Sequence, residues 1–146
     1  MPTAYPCTFT VPPGTTGGKL SGGFPNRERP TLQNGDSINV SVSFTAGDST
    51  APTGLLQGIF VFSAAADAVS NQATPSPFVF GSQNYACVSG TRVAGTAQGP
   101  NLVFNFGDWT YAGQLPGSYE LTFIAINDFG TGQYQWSEDP EFETGN

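Results

Sequence analysis

The chain has 146 residues, enough for one domain that buries roughly 70% of the surface its unfolded chain exposes. It carries 4 Lys and Arg against 11 Asp and Glu, a net charge of −7, and no His. So few cations do not neutralise a run of phosphates, which argues against nucleic acid as a partner, and no apolar stretch reaches the roughly 18 residues that membrane insertion needs.

Charged residues make up only 10% of the chain, against about 25% in average domains. Ser, Thr, Asn, Gln and Gly must therefore keep the surface wet, a composition typical of secreted and surface-exposed β-proteins. The N-terminal residues show no basic region followed by an apolar run, so no signal peptide is visible. An extracellular or surface location is therefore expected from composition alone.

The first predicted strand is Tyr5 to Val11, in which small polar and apolar residues alternate. Pro6 confines the start of this strand to the edge of a sheet. Residues 12–36 follow with two Gly-Gly pairs, three of the four cations and little apolar periodicity. This pattern predicts a long irregular loop, and loops of this length are often functional or disordered.

Two clear strand patterns come next. Ser37 to Ala46 alternates apolar and polar residues, which predicts one face in the core and the other in water. Leu55 to Ser63 is apolar on both sides, so it is predicted to be central, with Gly58 marking a bulge or a close approach. The only stretch of helical composition, Ala64 to Val69, is too short for more than a turn or two.

The second half of the chain continues with strands. One runs from about Tyr85 to Val93, and a second spans Asn101 to Phe106 and ends at Gly107 to Trp109. Leu115 to Asn127 reads as a central strand after a Pro-Gly turn, and a last strand begins at Gln133. Residues 137–146 form a predicted acidic tail.

These patterns predict a single all-β domain over residues 1–146, an antiparallel β-sandwich of seven to eight strands with essentially no helix. Tyr119 follows the Pro-Gly turn and lies two residues before the inward Leu121. This arrangement resembles the tyrosine corner of immunoglobulin-like sandwiches, and the resemblance implies an immunoglobulin-like fold. Leu121 stands where antibody domains have a cysteine, so their inter-sheet disulfide does not carry over.

Two cysteines, Cys7 and Cys87, lie far apart in the sequence. A disulfide between them would close a long loop and contribute about 4 kcal/mol in the chain-entropy model. Two buried thiols are the alternative, because free Cys is among the most buried residue types. A zinc site is not expected, because two thiolates without histidine do not fill a tetrahedral shell.

The absence of histidine removes the commonest general base and excludes Ser-His-Asp and Cys-His arrangements. No enzyme activity is therefore predicted, although glycoside hydrolysis needs only two carboxylates. Asp108, beside Trp109 and Tyr111, is the best-placed acid for that chemistry, because an aromatic wall raises a carboxyl pKa by desolvation. The alternative is an exposed turn aspartate with core aromatics behind it.

No cofactor is predicted apart from calcium, which needs only oxygen ligands on loops. Its candidate ligands are the acids around the last strand, namely Asp128, Glu138 and Asp139, with Glu141 and Glu143 following them. No calcium-loop motif is present, so a solvated acidic tail is the alternative interpretation.

Aromatic residues at predicted strand ends or loops form the candidate ligand platform, together with one acid. These residues are Asp108, Trp109, Tyr111, Phe129, Tyr134 and Trp136. Ring faces bury apolar area at little entropy cost, which suits a sugar or peptide ligand. Core packing is the alternative use for each of them.

The sequence thus predicts a non-enzymatic binding or surface module that recognises carbohydrate or protein through its end loops. The alternative is a self-associating assembly protein, such as a coat, fibre or capsid-associated subunit, in which residues 12–36 or the acidic tail reach a neighbour. A small glycosidase that depends on Asp108 is the third hypothesis.

Overall fold

A computed structural model describes residues 2–64, 78–80, 83–84, 87–111, 117–127 and 134–145. Regular structure in these residues is β apart from one short 3-10 helix, Pro25–Arg27, which confirms the all-β class. Within the described part of the chain, no helix has the length and apolar character that crossing a membrane requires.

The described residues contain thirteen strands, more than the seven to eight expected. Eight of them have four residues or more, and five short ones have no alternating pattern from which they could be predicted. In chain order the strands are β1 (Ala4–Thr10), β2 (Gly17–Lys19), β3 (Ser21–Gly23), β4 (Thr31–Leu32), β5 (Ser37–Thr45), β6 (Leu55–Ala64), β7 (Phe78–Phe80), β8 (Gln83–Asn84), β9 (Cys87–Gln98), β10 (Asn101–Tyr111), β11 (Gly117–Asn127), β12 (Tyr134–Glu138) and β13 (Glu141–Thr144).

Alternating sequence explains the long strands. In β5 every second residue from Ile38 to Phe44 is fully buried, as the pattern predicts. In β11 the same holds for Tyr119, Leu121, Phe123 and Ala125, all of which face the core. Side chains of a strand alternate sides, so these strands each bury one face.

Nine of the thirteen strands form one continuous hydrogen-bonded path in the order β2-β12-β11-β6-β9-β10-β5-β1-β3, and β4, β7, β8 and β13 pair beside it. The first half of β9 pairs with β6 and its last residues pair with β10, so this single strand belongs to both halves of the path. The path ends at β2 and β3, which are separated in sequence by Leu20 alone. The sheet therefore nearly closes on itself.

Aromatic rings from the two halves of the path meet in the interior. Phe9 of β1 stacks on Phe123 of β11 with ring centroids 5.3 Å apart. Phe60 of β6 lies 4.3 Å from Trp109 of β10, centroid to centroid. Packed aromatic pairs contribute about 0.5–1.5 kcal/mol beyond the area they bury, so these contacts hold the two halves together.

A bulge in β10 changes which residues face the core. The register against β5 shifts between Asn105 and Asp108, and Gly107 between them has φ +85°. Phe106 before the bulge and Trp109 after it are both buried, although they are three positions apart. The strand does not end at Trp109, as the sequence suggested, but continues to Tyr111 with its sides exchanged.

Gly58 lies at the second register shift, between β6 and β9, which confirms the predicted bulge. A Cβ at this position would lie 2.7 Å from Cε1 of Phe106. The glycine is therefore required by the close approach of an aromatic ring.

Residues 12–36 are not an irregular loop throughout, because they contain β2, β3 and β4. β2 pairs in parallel with β12, β3 pairs with β1 in the other half of the path, and β4 pairs in parallel with β13. β2 and β3 are short and rich in Gly, so they form through backbone pairing rather than through an apolar face, whereas β4 has two residues, of which Leu32 is fully buried. Their side chains show no periodicity from which these strands could be predicted.

The predicted acidic tail is also part of the sheet. Ser137 and Glu138 end β12, and Phe142 in the middle of β13 is fully buried. β12 and β13 pair with β11 in one register, with Phe123 opposite Glu138 and Glu120 opposite Glu141. The interpretation of this segment as a solvated tail is therefore wrong, because its alternate residues supply core and sheet contacts.

Candidate functional site

Three of the predicted ligand-binding aromatics lie in the core instead of on the surface. Trp109, Tyr111 and Trp136 are each at most 1% exposed. The Trp136 indole Nε1–H donates to Thr15 Oγ1 at 3.0 Å, and the Tyr111 hydroxyl donates to the carbonyl oxygen of Gly145 at 3.1 Å. These rings pack and anchor neighbouring segments, so they offer no face to a ligand.

The other predicted platform residues do not assemble either. Tyr134 is partly buried against Trp136, with ring centroids 6.3 Å apart. Phe129 lies outside the described residues. Asp108 is exposed on the side of β10 opposite Trp109, and its Oδ1 accepts a hydrogen bond from Asn39 Nδ2 at 2.7 Å. The aromatic wall expected around this carboxylate is on the other side of the sheet.

The candidate calcium ligands are engaged elsewhere. Glu138 Oε2 lies 3.8 Å from Lys19 Nζ, and Glu138 Oε1 accepts the backbone N–H of Asp139 at 2.9 Å. Asp128 lies outside the described residues. Among the residues that are described, no group of three or more His, Cys, Asp or Glu side chains is arranged to hold a metal ion.

Cys7 is fully buried, and it forms no disulfide within the described residues. Burial, with a smaller contribution from the charge of Glu138, raises the pKa of Cys7 to about 12. The thiolate is the reactive form, so this cysteine is inert at neutral pH. The backbone of Cys87 pairs with Val61, but its side chain lies outside the described residues, so the Cys7–Cys87 bridge stays a prediction.

A concave surface lies where the two ends of the sheet path approach each other. It has a volume of about 860 Å³, within the range of ligand-binding clefts. We call it the seam cleft. Its lining comes from the segment that crosses between the two halves and from the junction of β12 and β13, namely Thr8, Lys19, Leu20, Ser21, Gly22, Gly23, Phe24, Pro25, Asn26, Glu28, Arg29, Glu138, Pro140 and Glu141.

The local fold explains why a cleft forms here. Leu20 N–H donates to the Ser137 carbonyl oxygen at 2.9 Å, and Glu143 N–H donates to the Pro30 carbonyl oxygen at 2.8 Å. Between these two bonds the chain leaves β12 and β13, pairs with β1 as β3, and then returns. The seam cleft is the space under this detour.

Two ion pairs cross the cleft region. Lys19 pairs with Glu138, and Arg29 Nη2 contacts Glu141 Oε2. The Lys19 side chain is 77% exposed, and both Arg29 and Glu141 are about half exposed. Exposed pairs of this kind contribute about 0–1 kcal/mol, so they position the segment without locking it.

A pair of carboxyl groups lies next to the cleft, on the outer side of β11. Glu120 and Asp139 are hydrogen-bonded to each other, and Glu141 is opposite Glu120 in the register. Burial, the bond to Asp139 and the charges of Asp139 and Glu141 raise the pKa of Glu120 to about 7. The same bond lowers the pKa of Asp139. Glu120 therefore holds a proton near neutral pH and Asp139 carries the charge.

This carboxyl pair does not have the geometry of a glycosidase. Such enzymes separate their two carboxyl groups by about 5–9.5 Å to leave room for the sugar or for water. Glu120 and Asp139 are in hydrogen-bond contact. Nothing can pass between them, so the pair is a structural feature of the sheet surface.

Sequence reasoning missed the seam cleft, although one signal pointed to it. Residues 12–36 hold three of the four cations, and the last ten residues are rich in Asp and Glu. Complementary charge on two segments without apolar periodicity is consistent with contact between them. The structure shows two such contacts, Lys19 with Glu138 and Arg29 with Glu141.

In comparisons with known proteins, no family model, no curated protein and no solved structure matches this chain.

Proposed function

We propose that the chain is a non-enzymatic binding or surface module whose ligand, a protein or a carbohydrate, occupies the seam cleft. The observation that carries the proposal is the cleft itself, about 860 Å³ in volume and lined by exposed polar, charged and glycine residues. Ligand sites are concave and few in a protein, and they combine apolar walls with a small number of placed polar groups. Leu20 and Phe24 lie at the base of the cleft and are almost fully buried, so the polar groups form most of its accessible surface.

The position of the cleft also supports a binding role. Its walls belong to short strands and a detour of the chain, while the aromatic core lies beneath in the long strands. A rigid scaffold that presents irregular segments is the usual arrangement of binding modules. A location at a cell surface or outside the cell, as the polar and weakly charged composition suggests, suits such a module.

Within the all-β class, we propose that the fold is an immunoglobulin-like sandwich. Two halves of the sheet path meet through aromatic contacts, and Tyr119 begins β11 at the position of a tyrosine corner. Its ring stacks on Phe142 with centroids 5.8 Å apart. The backbone that a tyrosine corner would bond, a few residues upstream, lies in residues 112–116, outside the described part.

The alternative of an assembly protein has less support from the structure than from the sequence. It relied on residues 12–36 and the acidic tail extending to a neighbouring molecule. In the structure these two segments pair with each other within one chain, through β2 with β12 and β4 with β13. Neither segment is therefore extended away from the domain in its described residues.

A tryptophan at the exposed Ser21 tests the proposal by filling the cleft. The wild-type chain and Ser21→Trp are each screened on a glycan array and on an array of immobilised peptides. Thr96→Trp, at an exposed position of β9 away from the cleft, is the matched control. We expect a ligand that binds the wild type and the control but not Ser21→Trp, with all three giving the same thermal unfolding curve.

Two outcomes would overturn the proposal: no ligand on either array, or a ligand that Ser21→Trp still binds. If Ser21→Trp does not fold, Glu28→Lys, an exposed substitution at the same cleft, replaces it in the screen.

A further inference from the structure

The seam cleft contains two strand edges that lack a partner within the described residues. β3 is the last strand of the sheet path and pairs only with β1 there. The junction of β12 and β13 lies on the opposite wall. Its residues 138–142 fall between the last contact with β2 and the first contact with β4.

The backbone direction at the junction follows from its hydrogen bonds. Leu121 N–H donates to the Pro140 carbonyl oxygen at 2.9 Å, so the backbone of Pro140 faces β11. Backbone groups of neighbouring residues in a strand point to opposite edges, so those of Asp139 and Glu141 face the cleft. The Asp139 N–H already donates to Glu138 Oε1, so the Asp139 carbonyl and the Glu141 N–H and carbonyl are the groups this edge offers. The Ser137 carbonyl oxygen and the Glu143 N–H, which bond the crossing segment, lie on this same edge.

The two walls differ in length, and the difference creates a gap. Residues 21–29 span one wall and residues 138–142 the other, between the same two hydrogen bonds. The longer wall is diverted to β1, which leaves the edge of the shorter wall uncovered. Five extended residues span about 17 Å, the length of an ordinary short strand.

The lining favours a polypeptide over a sugar. Among the described lining residues Phe24 alone is aromatic, and it is 6% exposed, so none of them offers a ring face to a sugar. Gly22 and Gly23 carry no side chain, so backbone N–H and C=O groups form much of that wall. Backbone hydrogen bonds are what a peptide uses when it adds to the edge of a sheet.

Charge decides which kind of polypeptide fits. Among the described lining side chains there are three acids, Glu28, Glu138 and Glu141, and two cations, Lys19 and Arg29. Glu28 is exposed and is in neither of the two ion pairs found in the described residues. A second copy of this chain also carries −7 and would be repelled, whereas a basic segment would be attracted.

We propose that the seam cleft binds an extended, basic segment of another protein, which adds as a β-strand along the uncovered edge of the β12–β13 junction, with β3 as the facing wall. This inference rests on the proposed function, because it identifies the ligand of the same cleft. It predicts that recognition depends on backbone N–H groups and positive charge rather than on a particular side-chain sequence.

The test is an NMR titration of the full chain with synthetic peptides of about ten residues, a length that covers the cleft. In the first peptide, called the Lys peptide, every second residue is Thr and the residues between are Lys or Val. The second has Glu in place of Lys, and the third has the sequence of the first with alternate backbone nitrogens methylated. Amide shifts are followed at Leu20 to Phe24 and at Glu138, Asp139, Glu141 and Phe142, up to about 1 mM peptide, where weak binding is still visible.

We expect the Lys peptide to shift amide signals on both walls, and the Glu and N-methylated peptides to leave them unchanged. Glu28→Lys should weaken binding of the Lys peptide by about fivefold at low salt, as expected for loss of a screened charge contact. The matched control is Asp108→Lys, which changes the net charge equally but lies on β10, and it should bind as the wild type does.

The strand-addition proposal is overturned if the Lys peptide shifts no cleft amide, or if the N-methylated peptide binds equally well. A glycan that binds the wild type and is lost in Ser21→Trp would also overturn it while leaving the proposed binding function intact. If the wild-type chain bound neither a glycan nor a peptide, both proposals would be overturned.

Discussion

The aromatic interior and the seam cleft differ in the residues and the strands that form them. The interior consists of large side chains from long strands, with Phe60 in ring contact with Phe106, Trp109 and Phe123. The seam consists of strands of two or three residues, glycines and exposed ion pairs. Side-chain packing specifies the first region and backbone pairing the second.

This difference assigns scaffold and function to separate parts of the molecule. Buried aromatic contacts contribute most of the stability, because hydrophobic burial is the dominant favourable term in folding. Exposed strand edges and ion pairs contribute little to stability but leave backbone groups accessible to a partner. Substitutions in the interior should therefore change stability, and substitutions in the seam should change binding.

The largest effect is expected from removing a ring in the interior. Phe60→Ala should lower the free energy of unfolding by about 3–5 kcal/mol, because it deletes a fully buried side chain and leaves a cavity. Chemical denaturation measures this loss. Leu55→Ala, in the same strand but at a position that is 53% exposed, should change stability by less than about 0.5 kcal/mol. Equal losses in the two variants would contradict the distinction.

The next effect comes from overfilling the interior. Gly58→Ala should cost about 1–3 kcal/mol, because the added Cβ would lie 2.7 Å from the Phe106 ring. Gly54→Ala is the matched control, because a Cβ there would meet no atom within 4 Å. A thermal unfolding comparison in which Gly58→Ala is as stable as Gly54→Ala would show that the interior is not tightly packed at this bulge.

The carboxyl pair at the border of the two regions predicts a smaller, pH-dependent effect. The pKa of Glu120 is raised from 4.5 to about 7, so the folded chain holds this proton more tightly than the unfolded chain. Its contribution to stability is complete below pH 4.5 and is lost as the pH rises through about 7. The lowered pKa of Asp139 has the opposite sign and acts only as the pH falls below its ordinary value of 3.8.

Glu120→Gln keeps a donor for Asp139 but cannot ionise. At about pH 8 this variant should be more stable than the wild type by about 1 kcal/mol, a value reduced for the partial exposure of the pair. At about pH 5 the two should be equally stable, because Glu120 is then protonated. Denaturant titrations of both proteins at both pH values check this. If the stability difference between the variant and the wild type were the same at about pH 8 as at about pH 5, the shared proton would be contradicted.

The smallest effect on stability is expected in the seam. Lys19→Ala should lower stability by less than about 0.5 kcal/mol, because its ion pair with Glu138 is exposed on the lysine side. The change should vanish at high salt, where such pairs are screened. A loss of several kcal/mol would mean that the seam, like the interior, is part of the folding core.

The sequence predicted the interior well and the seam poorly, for physical reasons. Alternation identified β5, β11 and much of β1, because each buries one set of side chains against the core, and a run that is apolar on both sides identified β6. The bulge at Gly107 moved Trp109 and Tyr111 from predicted surface positions into the core, because one exchange of sides escapes any period-two pattern. The seam strands lack side-chain periodicity altogether, so neither they nor the cleft between them could be located.

The most direct test of this account is hydrogen exchange of the full chain with and without the Lys peptide of the NMR titration. Without peptide, backbone amides of β5 and β11 should exchange far more slowly than those of residues 17–32. With peptide, new protection should appear at the Glu141 amide of the β12–β13 junction, and elsewhere in the described strands only at residues that line the seam cleft. Protection that appears instead on β5 and β10 around Asn39 and Asp108, or on no strand at all, would contradict a binding site at the seam.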